Sequence, residues 1–431
     1  MLGAMEDAVN DVSRNVIQFW AENHSFDYRP HLTLNPPCEL ACQSAQKAEG
    51  MRTEPFRVVV WGPGTIGRAC IRELLQSPAY TLVGVLAHSP DQEGLDVGEL
   101  AGRDPIGVRA TTNKTAILAL DADVVLHAPR VAPDLTPIDQ DVVSILESGK
   151  NVISSTSYHY PFRHGRDYVE MLHSAGKRGG STLLGTGVHP GFMGDILALT
   201  LSGLCTHIET MTIREYVDVS HSTNAAGMQL FGFNGDPVEL ATREGPAQLI
   251  MDRYWGDSLA FLARVMFDED ARIERRSTYV PAAEPIELPA FTIAKGRVAE
   301  MRHLFTASID GRPRLVIDET LYQTERNRPH PHIESSDFYE IEIEGRPSSI
   351  RMRLALKASL VRGIDFWPGD PTGQAWYATA TPMLQAIPLV AEAEAGLMLP
   401  EVPRRFVRDA RHHLSMPALV RQELLRLGVQ P

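Results

Sequence analysis

The strongest constraint on this chain's fold is Val58-Val59-Val60-Trp61-Gly62-Pro63-Gly64-Thr65-Ile66-Gly67, an apolar strand that runs into Gly-x-Gly-x-x-Gly and then a helix. Strand, glycine turn and helix in that order predict the opening of a doubly wound parallel sheet that binds a dinucleotide. Gly62 permits the tight turn. Gly64 lets the backbone approach a pyrophosphate, and Gly67 lets the helix pack close to the strand. The amide end of the helix then favours the negative phosphates. Gly62, Pro63, Gly64, Thr65, Ile66 and Gly67 are therefore the candidate cofactor-binding residues.

The rhythm continues as an α/β pattern. Helix is expected over Thr65–Gln76, strand over Thr81–Ala87 and Asp123–His127, and helix over Val142–Ser148. Strand follows at Asn151–Ser155, helix at Tyr168–Ala175 and strand at Ser181–Leu184. Short apolar strands between helices mean a parallel sheet covered on both faces. After about residue 187 the period changes to two. Met211, Ile213, Val217 and Val219 alternate with polar residues, and Tyr339, Ile341 and Ile343 alternate with Glu340, Glu342 and Glu344. Gly345-Arg346-Pro347 turns the chain into Ile350, Met352 and Leu354, which alternate with Arg351 and Arg353. This predicts a mixed or antiparallel sheet with one wet face, and a hairpin whose acidic and basic outer faces meet. Four segments result: an N-terminal extension at 1–54, possible helix at Glu6–Trp20 included and otherwise poorly ordered; a Rossmann domain at 55–187; an α+β substrate and dimerisation domain at 188–375; and a helical segment at 376–431 that returns to the first domain, ending in a surface helix over Glu401–Gln430.

Composition excludes several classes. A net charge of −13 with no Lys/Arg run argues against nucleic-acid binding. No apolar run approaches the ~20 residues that span a bilayer, and no signal-peptide pattern opens the chain, so a cytoplasmic location is expected. Cys38, Cys42, Cys70 and Cys205 are too few for a disulfide scaffold. No metal site is expected, because His330/His332 and His412/His413 lack acid or thiol partners at ligand spacing.

Cofactor type is read at the tip of the second strand. An Asp or Glu about twenty residues beyond the glycines would hold a ribose 2′-hydroxyl. The chain reads Ala87-His88-Ser89-Pro90 there, with Asp91 beyond. His88 and Ser89 tolerate a 2′-phosphate better than an acid would, which favours NADP over NAD; Asp91 is the residue that would serve NAD.

Candidate catalytic residues follow from the rule that ligands bind outside the carboxyl ends of parallel strands. His189, in Gly185-Thr186-Gly187-Val188-His189-Pro190-Gly191-Phe192, is placed to move a proton or hold a polar group. Tyr158 and Tyr160, in Ser155-Thr156-Ser157-Tyr158-His159-Tyr160, fall in a second such loop. Glu215 stands on the apolar phase of its strand, where a carboxylate is either paired with an Arg, turned out by a bulge, or functional.

The glycine turn, Asp96-Val97-Gly98-Glu99-Leu100-Ala101-Gly102, the Gly185–Phe192 motif and Ala386-Ile387-Pro388 together resemble the dihydrodipicolinate reductase-like group, which includes 2,4-diaminopentanoate dehydrogenase and the native amine dehydrogenases. The resemblance spans roughly residues 55 to 400. It implies a Rossmann domain, a central α+β domain that often makes a homodimer, and a helix returning to the first domain. It also implies reversible hydride transfer between NAD(P)H and a C=N, or sometimes C=O, carbon of a small substrate. Two departures bear on substrate. His189 stands where the diaminopentanoate type carries Asn. The loop at 155–158, where amine dehydrogenases are expected to place an ammonia-holding glutamate, reads Ser-Thr-Ser-Tyr. The His-rich double motif of true dihydrodipicolinate reductase is also missing. The alternatives are a ketone or aldehyde reductase without amination, or a non-catalytic NAD(P)-binding regulator.

Overall fold

Strand β1 (Phe56–Trp61) alternates its side chains between two helical layers, and this sets up the first half of the molecule. Val58 and Val60 pack into one apolar cluster with Ala69, Cys70 and Leu74 of helix α1 (Thr65–Leu74). Val59 and Trp61 pack into the other, with Ile138 and Val142 of α2 (Thr136–Glu147) and Val169 and Leu172 of α3 (Arg166–Gly179). A strand buried on both faces reads as an unbroken apolar run, as this one does.

The computed structural model describes residues 52–130, 134–156, 158–220, 222, 224–243, 245–323, 338–356 and 374–431. The expected helix at Glu6–Trp20, Cys38, Cys42, Ser157, His330 and His332 lie outside the described residues. Residues Glu54–Pro431 form one compact unit.

The first sheet adds β2 (Tyr80–Leu86), β3 (Ala110–Thr111), β4 (Val124–His127), β5 (Asn151–Ser154) and β6 (Thr182–Gly185), all parallel. With a further strand, β15 (Gly396–Leu397), its order is β15-β6-β5-β4-β1-β2-β3. The outermost strand, β15, comes from the far end of the chain and pairs with β6 through Gly396↔Thr182 and Leu397↔Leu183.

The second sheet is built from β7 (His207–Asp218), β8 (Arg272–Pro281), β11 (Val298–Ile309), β12 (Arg312–Tyr322), β13 (Phe338–Arg346) and β14 (Ile350–Ala355). A two-stranded ribbon, β9 (Ile286–Glu287) and β10 (Thr292–Ile293), lies apart from it. The sheet's order is β14-β13-β7-β12-β11-β8. β13 and β14 form the hairpin that the alternation predicts, with Glu340 opposite Arg353 and Glu342 opposite Arg351, both ion-paired. β7 and β12 run parallel, so the sheet is mixed, one of the two forms expected for this domain. Alternation reports a wet face, not strand direction.

A 22-residue helix, α4 (Pro246–Phe267), covers the inner face of this sheet through Trp255, Leu259, Phe261 and Leu262, all buried. Helices α5 (Gln374–Gln385) and α6 (Ile387–Glu392) return to the first sheet, where Ala380, Met383, Ile387 and Val390 join the cluster of α1. The expected surface helix over Glu401–Gln430 is corrected. Only Met416–Arg426 (α7) forms an α-helix there, and it buries Met416, Leu419, Val420 and Leu424. Its Glu423 is fully buried against Arg264 of α4, 3.4 Å away, and Arg426, 2.7 Å away. The charges that read as a wet surface pair with one another inside.

Candidate active site

Between β1 and α1 the backbone makes the turn that the glycines predict. Gly62 has φ +97°, and a Cβ there would lie 2.7 Å from the Ala128 carbonyl oxygen. At Gly67 a Cβ would fall 2.1 Å from the Gly62 oxygen and 3.3 Å from Val60 Cγ1. Gly64 is the opposite case: it is exposed, and a Cβ would meet nothing within 4 Å. Two glycines therefore let backbone meet backbone, and the third faces open space at the amide end of α1, where a pyrophosphate fits. Pro63 is buried, and its carbonyl accepts from Arg68 Nε at 3.2 Å. Thr65 and Ile66 begin the helix. Beyond β2, His88 and Ser89 are exposed, and the Ser89 hydroxyl donates to Asp91.

Thr182–Gly185 ends at the edge of the same crevice, and Gly187 leads into a cis peptide at His189–Pro190. His189 Nδ1 lies 2.7 Å from Glu215 Oε2 of β7. The His189 ring packs 4.4 Å from that of Trp255 and sits edge-on to Tyr339 at 6.1 Å. Its side chain is 0% exposed and that of Glu215 is 8%. Two residues from distant parts of the sequence thus meet where the two sheets adjoin. Among the described residues Glu215 is not paired with an Arg, and β7 runs through it in unbroken register. With Nδ1 donating to the carboxylate, the neutral imidazole has its lone pair on Nε2, a tautomer assigned from the hydrogen bond.

A second carboxylate, which sequence reading missed, completes the group. Glu319 of β12 stands in direct register with Glu215, and Trp255 Nε1 donates to its Oε2 at 3.1 Å. Burial, reinforced by the neighbouring Glu215 charge, pushes the Glu319 carboxyl well above its ordinary range. Glu319 falls on the apolar phase of β12 with Leu315, Ile317 and Leu321, the same signal that marks Glu215, though it stands in the polar run Asp318-Glu319-Thr320.

The two tyrosines do not join this group. Tyr158 is buried and donates to Asp139 Oδ1 at 2.7 Å, as Tyr168 does at 2.8 Å. Asp139 lines a cavity of about 480 Å³ with Arg163, His164, Tyr168 and Arg253. Tyr160 packs its ring against Phe162 and Phe261, and its hydroxyl faces Glu423 and Arg264. Burial of an apolar ring decided both placements. His159 sits instead beside Asp195, at 3.5 Å, in a fully buried group with Ser258. Among the described residues no group of three or more His, Cys, Asp or Glu could hold a metal ion, and no helix is long and apolar enough to cross a membrane.

Comparison with known proteins adds the following. Residues 56–156 match the family model described as "Dihydrodipicolinate reductase, N-terminus". An amine dehydrogenase of Streptomyces virginiae is 29% identical over 354 residues, which cover 79% of this chain and 93% of that protein. A 2,4-diaminopentanoate dehydrogenase of Acetoanaerobium sticklandii is 24% identical over 180 residues, 39% of this chain and 48% of that protein. The solved amine dehydrogenase from Mycobacterium smegmatis superposes with a TM-score of 0.59 at 21% identity, covering 81% of this chain and 97% of that one, and so shares the fold.

Proposed function

We propose that this chain, an NAD(P)-dependent oxidoreductase similar to the dihydrodipicolinate reductase-like group, moves a hydride to or from the C=N or C=O carbon of a small substrate held against Glu215. One observation carries the reading: the 2.7 Å contact between His189 and Glu215, which ties the crevice motif of the first sheet to the inner face of the second.

When bound, the nicotinamide supplies or accepts the hydride. The chain's own residues do the rest. The Gly62–Gly67 turn would hold the cofactor's pyrophosphate at the amide end of α1. Glu215, the less covered of the pair, orients the substrate heteroatom and exchanges its proton. His189 acts through Glu215 as a positioning residue, because its side chain is fully covered and its Nδ1 contacts the carboxylate.

The proposal includes NADP as the preferred cofactor, since no acid caps β2 and His88 and Ser89 are exposed there. It also includes a cytoplasmic homodimer, which light scattering would record at twice the 47.6 kDa of the chain. Cofactor binding is tested by fluorescence titration with NADPH and NADH. Hydride transfer is tested by following deuterium from 4-deuterated NADPH into a panel of carbonyls, with and without ammonia. Failure to bind either cofactor overturns the reading. Transfer to ketones without ammonia would select the plain reductase, and binding without any transfer would select a regulatory protein.

A further inference from the structure

His189 has two ring nitrogens, and the proposed site uses only one of them. Nδ1 meets Glu215, while Nε2 is enclosed and has no hydrogen-bond partner among the described residues. The ring edge that carries Nε2 lies over Gly194, in the helical segment Val188–Ala198. A Cβ at Gly194 would fall 3.3 Å from His189 Cδ2, 3.4 Å from His189 Nε2 and 2.9 Å from Ser258 Oγ of α4. The imidazole edge and the hydroxyl therefore border one another over Gly194, and no side chain at that position separates them.

Behind the hydroxyl stands a buried acid with a histidine beside it. Ser258 Oγ donates to Asp195 Oδ1 at 2.8 Å, and Asp195 Oδ2 lies 3.5 Å from His159 Nδ1. Ser258, Asp195 and His159 are all buried. Among the described residues no Lys or Arg pairs with Asp195. The next carboxylate on α4, Asp257, is taken by His164 at 2.9 Å and Arg163 at 3.3 Å, so those charges are spent outside this line. A carboxylate buried away from Lys and Arg is stable only with a proton on itself or on a close neighbour. Asp195 and His159 are thus built to hold one between them. The other titratable groups around His189 are Glu215, Glu319 under the Trp255 N–H, and Tyr339 edge-on to the ring.

We propose that Asp195 and His159 are a proton store behind the candidate site, joined to His189 Nε2 by Ser258, so that Glu215 is recharged from inside the protein. The proposal rests on the His189–Glu215 reading and deepens it. The assigned tautomer, with its hydrogen on Nδ1, is set for the reductive direction. Glu215 gives its proton to the substrate heteroatom. The Nδ1–H proton then moves to the Glu215 carboxylate, and Nε2 takes the hydroxyl proton of Ser258. Ser258 takes the proton of Asp195, and the His159 imidazolium refills Asp195. One proton leaves the store for each that reaches the substrate, electron pairs stay on their own atoms, and oxidation runs the same steps backward. A turn of Ser258 or one water molecule bridges the step over Gly194. Ser258, Asp195 and His159 touch no reacting atom and are positioning residues.

The test is a double-mutant cycle read by magnetic resonance of the full chain carrying nitrogen-labelled histidine, with His189 and His159 assigned through His189→Gln and His159→Gln. Asp195→Asn keeps an oxygen for the Ser258 hydroxyl but cannot hold the proton. It is expected to lower the pH midpoint of His189 by about half a unit or more, roughly threefold in proton affinity. In a Ser258→Ala background the same change should leave His189 unmoved. A shift that survives Ser258→Ala acts through space and overturns the proposal, as does an equal midpoint in wild type and D195N. Should D195N fail to fold, His159→Gln takes its place in the cycle; it is expected to raise the His189 midpoint, and the same two results overturn the proposal. Kinetics give a second arm. With a carbonyl that accepts deuterium from 4-deuterated NADPH, D195N should slow a single turnover about tenfold and make its proton inventory linear. Deuterium transfer at the wild-type rate in D195N removes the store. A cycle that holds without any deuterium transfer leaves the store standing and removes the oxidoreductase reading instead.

Discussion

Alanine at Gly67 would drive its methyl group into the Gly62 carbonyl, 2.1 Å away, so α1 must lift from β1. Gly67→Ala is expected to lower NADPH affinity by an order of magnitude or more in a fluorescence titration, while Gly64→Ala, which meets no protein atom, would act only through the cofactor's own approach. At the tip of β2, His88→Asp places the acid that a ribose hydroxyl needs. It should move the NADPH to NADH affinity ratio about tenfold toward NADH; no movement would remove His88 from the adenosine site. Glu215→Gln leaves His189 without its carboxylate partner, and kcat should fall by roughly 10²–10⁴-fold in a steady-state assay. These residues were legible in sequence because a turn, a strand tip and a phase violation are local signals. That Tyr158 and Tyr160 lie away from the His189–Glu215 contact was not legible, because a density of hydroxyls says nothing of which way a ring turns. Glu319 and His303 break the apolar phase of their strands as Glu215 does, but which groups they face is set by register with other strands, which no local pattern reports.

At the scale of elements, the β13–β14 hairpin could be read directly, since period-two alternation and a Gly-Arg-Pro turn sit together. Helix α4 could not, because residues buried on nearly all sides leave no amphipathic stripe. Helix α7 misled for the reverse reason: its charges look solvated but Glu423 is fully buried between Arg264 and Arg426. Arg264→Met removes the more buried cation and leaves Glu423 with Arg426 alone. Denaturant unfolding should show a loss of about 3 kcal/mol, at the lower end for a broken buried pair because one partner stays. By contrast Arg353→Ala on the half-exposed hairpin face should cost less than about 1 kcal/mol.

Across the whole molecule, stability should depend on acid through buried imidazoles. Burial, aided by His88 and Lys114, pushes His127 down to about 3, and burial with Arg275 pushes His303 down to about 4. Both start from 6.5 in the unfolded chain. Below that pH the unfolded chain binds protons that the folded chain refuses, so stability is retained above pH 6.5 and lost as pH falls toward 4 and then 3. Each imidazole contributes about 1.4 kcal/mol per pH unit over that window. Thermal melts of His303→Gln should fall less steeply between pH 6.5 and 4 than wild type; parallel curves would exclude the imidazole.

The late arrival of β15 has a consequence for manufacture. A ribosome delivers six of the seven strands of the nucleotide-binding sheet by Gly185, yet the seventh is Gly396–Leu397. Throughout synthesis of the second sheet, β6 therefore presents an unpaired edge, the kind of surface that recruits stray chains. Arrested nascent chains should show β6 open to protease until Leu397 clears the exit tunnel, and closed after it. A message cut short before that codon would yield a polypeptide with its phosphate turn intact and its flank bare, which makes the tail a checkpoint on finished copies.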